Sequence, residues 1–150
     1  HDMTTSIEFF MISLISNKNR MNKLKTTIHI KVGAILCALY VAFGAFGAHG
    51  LKPLLTPSQL NTYETGLRYM IIHCLALIVI NLCYHTFKKY SKWPSFFIYS
   101  GVVLFSFSLM VHALRDIIGL EINVFAMLAP IGGLCFIAGW ISFLSTIRKL

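Results

Sequence analysis

Hydrophobic and polar positions along this chain are sorted into long blocks. Four runs, Val32 to Ala48, Tyr69 to Phe87, Ser95 to Leu114 and Ile122 to Ile147, carry no Asp, Glu, Lys or Arg. Each reaches the roughly 17 to 25 residues that a helix, rising about 1.5 Å per residue, needs to cross a hydrocarbon core of about 30 Å. Barrel strands would alternate apolar and polar residues, and these runs do not. The pattern predicts an all-α membrane protein, a bundle of four transmembrane helices.

The polar punctuation between the runs sets the boundaries. Lys52-Pro53 ends the first helix, and Thr56-Pro57-Ser58-Gln59 reads as a capping box with proline at the first helical position. That box predicts a short interfacial helix between helices one and two. Leu60, Tyr63 and Leu67 form its apolar face, and Gly66 is a hinge into the second span. The run Phe9 to Ile15 is too short to span and lacks the charge pattern of a secretory signal. Residues 1–27 are therefore expected to form an N-terminal extension, partly disordered or interfacial, ahead of a transmembrane domain over 28–150.

Composition sharpens the class. The chain is 57% hydrophobic and 12% charged, against about 25% charged residues in an average soluble protein. A net charge of +8 would suggest nucleic acid in a soluble chain, but here the basic residues flank the apolar runs, so no nucleic-acid partner is expected. Lys18, Arg20, Lys23, Lys25, Lys31, Lys88, Lys89, Lys92, Arg148 and Lys149 fall on one side, leaving Lys52, Arg68 and Arg115 on the other. The positive-inside rule then gives a multi-pass protein of the cell (inner) membrane with both termini cytoplasmic, or of the mitochondrial inner membrane in a eukaryote. Tyr84, Tyr90 and Trp93, mixed with Lys88, Lys89 and Lys92, suit the cytoplasmic interface. The four cysteines lie inside apolar runs without CxxC spacing, indicating neither a disulfide framework nor a zinc site.

Candidate chemistry is confined to a few polar residues near the outer ends of the spans. Ala34, Ala38, Ala42 and Ala45 lead to His49 on one stripe of helix one, a small-residue seam that Ala129, Gly132 and Gly139 of helix four could receive. Either the seam simply ends in a capped helix, or it carries His49 into an interhelical pocket. His73 lies inside the second span with Tyr69 one turn before it. It is either a satisfied structural histidine or a functional one, since an ionisable residue in a span is costly. Glu64 and Arg68, at i and i+4, are expected to form an interfacial ion pair. Asp116 stands at i+4 from His112, where it could orient the imidazole, with Arg115 competing for the carboxylate. Asn81 reads as interhelical glue, His85 as interfacial polarity, Pro130 as a kink and Trp140 as an inner-interface residue. The pattern histidine, small, leucine, base occurs at both His49-Gly50-Leu51-Lys52 and His112-Ala113-Leu114-Arg115, a match that so biased a composition can also produce by chance.

Three ordered motifs carry a family resemblance. These are Gly44-Ala45-Phe46-Gly47-Ala48-His49-Gly50-Leu51-Lys52, Tyr63-Glu64-Thr65-Gly66-Leu67-Arg68-Tyr69 with His73, and Pro130-Ile131-Gly132-Gly133-Leu134 with Ala138-Gly139-Trp140. From about Ile28 to Ile147 the chain resembles the small integral membrane proteins catalogued as domain of unknown function 423, which include bacterial inner-membrane proteins and the animal transmembrane protein 256. The resemblance implies a compact multi-span protein without an assigned reaction, with recurrent polar positions at His49, Tyr63, Glu64, Arg68 and His73. His112 and Asp116 are not among them, and the His1 to Arg20 extension departs from the usual short N-terminus.

Three functional readings follow. The first is a non-enzymatic bundle in the lipid bilayer that packs with itself, as a homo-oligomer, or with a larger membrane complex. The alternative is a small transporter or proton/metal conduit with an outer vestibule lined by His49, His73 and His112, since histidine titrates near neutrality and binds transition metals. An enzyme or haem protein comes last. The spans hold no paired carboxylates or activated serine, and no haem-attachment motif occurs, so no cofactor and no resident metal are expected.

Overall fold

The computed structural model describes residues 3–87, 90–119 and 124–148. Its elements are α1 (Met3–Phe46), α2 (Pro57–Thr86), α3 (Trp93–Ala113), a single turn α4 (Arg115–Ile118) and α5 (Val124–Ile147). Four of these helices are long and apolar enough to cross a membrane, as the blocked hydropathy requires. Two stretches widen into π-helix: Gly47–Leu51, which prolongs α1, and Val102–Phe107 inside α3.

Two boundaries differ from expectation. The N-terminal extension is helical from Met3 and runs without a break into the first span. At about 1.5 Å per residue α1 is about 66 Å long, roughly twice a hydrocarbon core. The span is therefore its C-terminal half, beyond the Lys18 to Lys31 basic stretch. Nor is the short helix before the second span separate. The capping box forms as read: Gln59 N–H donates to Thr56 Oγ1 at 3.3 Å and Thr56 N–H to Gln59 Oε1 at 2.9 Å. It opens one continuous helix of 30 residues. Gly66 does not hinge that helix. Its missing side chain admits α3 instead, where a Cβ would stand 2.7 Å from the Ser106 carbonyl oxygen.

The packing order is α1, α2, α3, α5, with α2 touching both α1 and α3, and α3 touching both α2 and α5. Glycines set the close approaches. Gly33 lies under Ile78 and the Cys74 carbonyl, and Gly47 under the ring of Tyr63, so α1 and α2 run antiparallel. Gly101 meets the Phe136 ring, Gly132 the backbone of Leu104 and Phe105, and Gly139 the Ile98 side chain at 3.3 Å, so α3 and α5 do the same. Within the π segment of α3, Phe105 backs onto α5 while Ser106 backs onto α2. One core cluster, with Met70, Leu77, Ile80, Ile98 and Phe136, fills the middle of the bundle. A second, with Leu51, Leu55, Tyr63, Leu67 and Met110, closes the end that holds Lys52.

The buried face of α1 is not the alanine seam. Gly33 and Gly47 are buried and Leu36, Cys37, Tyr40 and Phe43 are partly so, whereas Ala34, Ala38, Ala42 and Ala45 are all exposed. Gly132 and Gly139 do pack, with Ala129 also buried, but Gly132 and Gly139 receive α3 rather than α1. Volume explains the outcome. A stripe of methyl groups leaves no recess for a ring, whereas the glycine face takes the Tyr63 ring and the Ile78 side chain.

Candidate functional site

His73 is the one candidate histidine that the fold buries, at 5% exposure. Helix α2 places it one turn beyond Tyr69, whose carbonyl is 2.8 Å from His73 Nδ1. Since a carbonyl only accepts, Nδ1 carries the proton. On the other side Trp140 Nε1–H points to His73 Nε2 at 3.4 Å. An indole only donates, so Nε2 presents its lone pair. Both nitrogens of a neutral imidazole are thereby engaged. Phe136 stacks on the ring at 3.5 Å between centroids, and Tyr69 lies nearly parallel at 6.1 Å. Trp140 therefore reaches His73 rather than standing free at the inner interface.

The other two histidines do not join it. His49 is exposed in the π-helical turn. His112 Nε2 is 3.2 Å from Arg115 Nη1, and Asp116 does not orient it. Among the described residues no group of three His, Cys, Asp or Glu side chains is placed to hold a metal ion. Gly66 faces Ser106 and Met110, so His73, seven residues further along α2, lies about 10 Å deeper than that level. A shared histidine vestibule is not formed among His49, His73 and His112.

The acidic residues also find other partners. Arg68 donates to Thr65 Oγ1 at 3.1 Å, and the expected pair with Glu64 is not formed; both residues are exposed. Asp116 takes Arg115 Nε at 3.4 Å and Gln59 Nε2 at 2.5 Å. The residue that caps α2 therefore also anchors α4, an economy the capping motif alone did not signal. Tyr63, 1% exposed, donates its hydroxyl to the Phe43 carbonyl at 2.9 Å. This gives the Gly47 motif a role in packing: the glycine leaves room for the ring that makes that bond.

At the opposite end lies a cluster that sequence reasoning missed. His29 of α1 sits between two phenols, with Nδ1 2.7 Å from Tyr99 Oη and Nε2 3.1 Å from Tyr90 Oη. Its partners are 61 and 70 positions away, a separation that no local pattern bridges. Lys25 Nζ stands 5.6 Å over the Tyr90 ring and Lys92 Nζ 5.0 Å over the Trp93 ring. Deeper in, Asn81 donates to Ser95 Oγ at 3.0 Å, both side chains fully buried, so the expected glue joins α2 to α3. His85 is exposed near the same end. Lys88, Lys89 and Lys149 of the basic interface lie outside the described residues.

Comparison with known proteins agrees with this architecture. Residues 43–133 match the family model described as "Protein of unknown function (DUF423)", a segment containing His49, Tyr63, His73, Asn81 and Gly132. The chain is 36% identical over 122 residues to a UPF0382 membrane protein of Staphylococcus haemolyticus, covering 81% of this chain and 96% of the relative. It is 35% identical over 114 residues to one from Staphylococcus aureus (76% and 89%) and 34% identical to one from Staphylococcus saprophyticus (76% and 91%). No solved structure matches. With four apolar helices packed through glycines that fall within and beside the matched segment, the chain belongs to the DUF423 family of membrane proteins.

Proposed function

We propose that this protein is a non-enzymatic membrane bundle that associates laterally, with further copies of itself or with a larger membrane complex. The observation that carries the reading is the orientation of α1. It occupies one flank of the packing order and turns Ala34, Ala38, Ala42 and Ala45 outward. Small side chains allow close helix approach in lipid, where van der Waals packing, interhelical hydrogen bonds and lipid entropy replace the hydrophobic drive. The hydrogen bonding of His73 supports the same reading, since Nδ1 is committed to the Tyr69 carbonyl and the Nε2 lone pair faces the Trp140 indole N–H. The relatives are bacterial, and the concentration of basic residues at one end supports an inner-membrane setting with that end, and both termini, in the cytoplasm.

The test is crosslinking in the native membrane. Ala38→Cys and Ala42→Cys, in a chain whose own four cysteines are replaced by serine, should give adducts with a short bismaleimide. A cysteine at exposed Ile137 of α5 should give fewer. A strictly monomeric detergent-purified protein, together with no crosslinked product in membranes, would remove the support for association. A pH- or metal-dependent flux in liposomes that His73→Ala abolishes would replace this reading with a conduit.

A further inference from the structure

The basic end of the bundle holds charges that the described protein does not balance. Among the described residues the carboxylates are Glu8, Glu64 and Asp116. Glu64 and Asp116 lie at the end with the α2 capping box. Glu8 is 17 positions before Lys25, about 25 Å along a straight helix. Neither Lys25 nor Lys92 makes an ion pair among the described residues. Both ammonium groups instead face aromatic rings on the wall of one cleft of about 660 Å³, lined by Lys25, Ile28, His29, Tyr90, Lys92 and Trp93, with Ser91 between them.

We propose that this cleft, between α1 and the segment joining α2 to α3, binds the phosphate-bearing headgroup of an anionic phospholipid. The back wall is rigid. His29 is held at both ring nitrogens by Tyr90 and Tyr99, and its ring lies nearly parallel to that of Tyr90, at 7°. Burial pushes the Tyr90 phenol above its ordinary range, so at neutral pH it stays a neutral hydroxyl and adds no negative charge beside Lys25. Two ammonium groups on a fixed aromatic wall provide charge-assisted donors for phosphate oxygens. The rim on the membrane side is apolar and open: Ile28 is 49% exposed, Trp93 52% and Phe96 54%. A phosphodiester with acyl chains satisfies both features, because its chains can lie along the exposed apolar residues while its phosphate meets the lysines. A free anion would use only the charges. Basic pockets between helices at the membrane surface are the setting in which acidic headgroups are recognised.

The experiment uses the full chain in mild detergent, read by native mass spectrometry of bound lipid. Dioleoyl-phosphatidylglycerol is competed against dioleoyl-phosphatidylcholine, which has the same chains, and separately against inorganic phosphate. With about 1 kcal/mol per lysine near a surface, the anionic lipid should be preferred by roughly 10- to 30-fold. Lys25→Gln with Lys92→Gln should bring the preference close to one, while Lys52→Gln at the other end leaves it unchanged. Both substituted lysines are exposed, so the variant should melt with the parent, and a matched melting curve verifies this. Equal binding of the two lipids, or a preference that survives the double substitution, would overturn the proposal. Displacement of the lipid by equimolar inorganic phosphate would overturn the lipid assignment in favour of a soluble anion. The outcome is separable from that of the crosslinking test, because neither lysine lies on the alanine face of α1.

Discussion

Replacing Gly132 by alanine should separate two helices that now touch backbone to backbone. A Cβ built at this position would lie 2.6 Å from the Leu104 carbonyl carbon and against the Phe105 backbone nitrogen, where ordinary contact is 3.4–4 Å. Main-chain atoms cannot rotate aside, so α3 must retreat from α5 by roughly 1 Å. A gap of that order forfeits about a quarter to a half of each dispersion well along the contact, and inserted methyl groups in packed cores cost about 1–3 kcal/mol. Alanine's better helix propensity returns about 1 kcal/mol at most, so the net effect is a loss. Gly66→Ala should behave alike, since its Cβ would stand 2.7 Å from the Ser106 carbonyl oxygen. Gly44→Ala is the control, because nothing lies within 4 Å of its Cβ position. Reversible unfolding in mixed micelles of increasing SDS content, followed by far-ultraviolet circular dichroism, gives the free-energy differences. The expected order is Gly44→Ala at or slightly above the parent, with Gly66→Ala and Gly132→Ala below Gly44→Ala by about 1–3 kcal/mol. A Gly132→Ala protein as stable as Gly44→Ala would refute the backbone-contact argument.

Other consequences can be read on the same platform. Asn81→Leu removes the donor to Ser95 and should cost about 0.6 kcal/mol, with about 1.7 as the upper end for interhelical hydrogen bonds in membranes; a stabilised variant would show the pair to be dispensable. Glu64→Gln should leave stability within about 0.5 kcal/mol, since Arg68 bonds Thr65 instead, and a larger loss would restore the i, i+4 ion pair. His73→Leu breaks the bonds to Tyr69 and Trp140 and should alter Trp140 fluorescence in a Trp93→Phe background; an unchanged emission spectrum would mean that the indole does not meet the imidazole.

Much of the fold was legible because lipid imposes a coarse rule. Twenty apolar residues spell a span whatever their neighbours, and the capping box at Thr56 is a local motif with local geometry. What failed was rotational. The alanine stripe and the Gly33–Gly47 stripe both follow helical spacing on α1, and spacing alone does not say which of two small-residue faces turns inward. The deciding feature is a bulky side chain elsewhere: Tyr63 needs the hollow at Gly47, and Ile78 the hollow at Gly33. The same limit explains Glu64 and Arg68, where an i, i+4 ion pair in solvent is worth only about 0.2–0.5 kcal/mol and a hydroxyl one turn away competes successfully. His29 escaped notice for another reason: its environment comes from Tyr90 and Tyr99, and nothing within α1 announces it.

The histidines also show how far a polar residue's type can mislead about its work. Three imidazoles near one end of a membrane bundle invite a conduit, because each can titrate and each can bind a metal. A conduit, however, needs free lone pairs and water between them. His73 donates from Nδ1 to a carbonyl of its own helix and accepts at Nε2 from an indole on α5, so it ties α2 to α5 beside the Phe136 ring. Phe136 at 3.5 Å covers one face of the ring, leaving that face dry. A phenylalanine there would keep the stacking and lose both bonds; a lysine would bring a charge with no carboxylate nearby. A neutral histidine combines a flat ring with one N–H donor and one lone-pair acceptor on separate nitrogens, and the Tyr69 carbonyl, the Trp140 indole and the Phe136 ring use all three features.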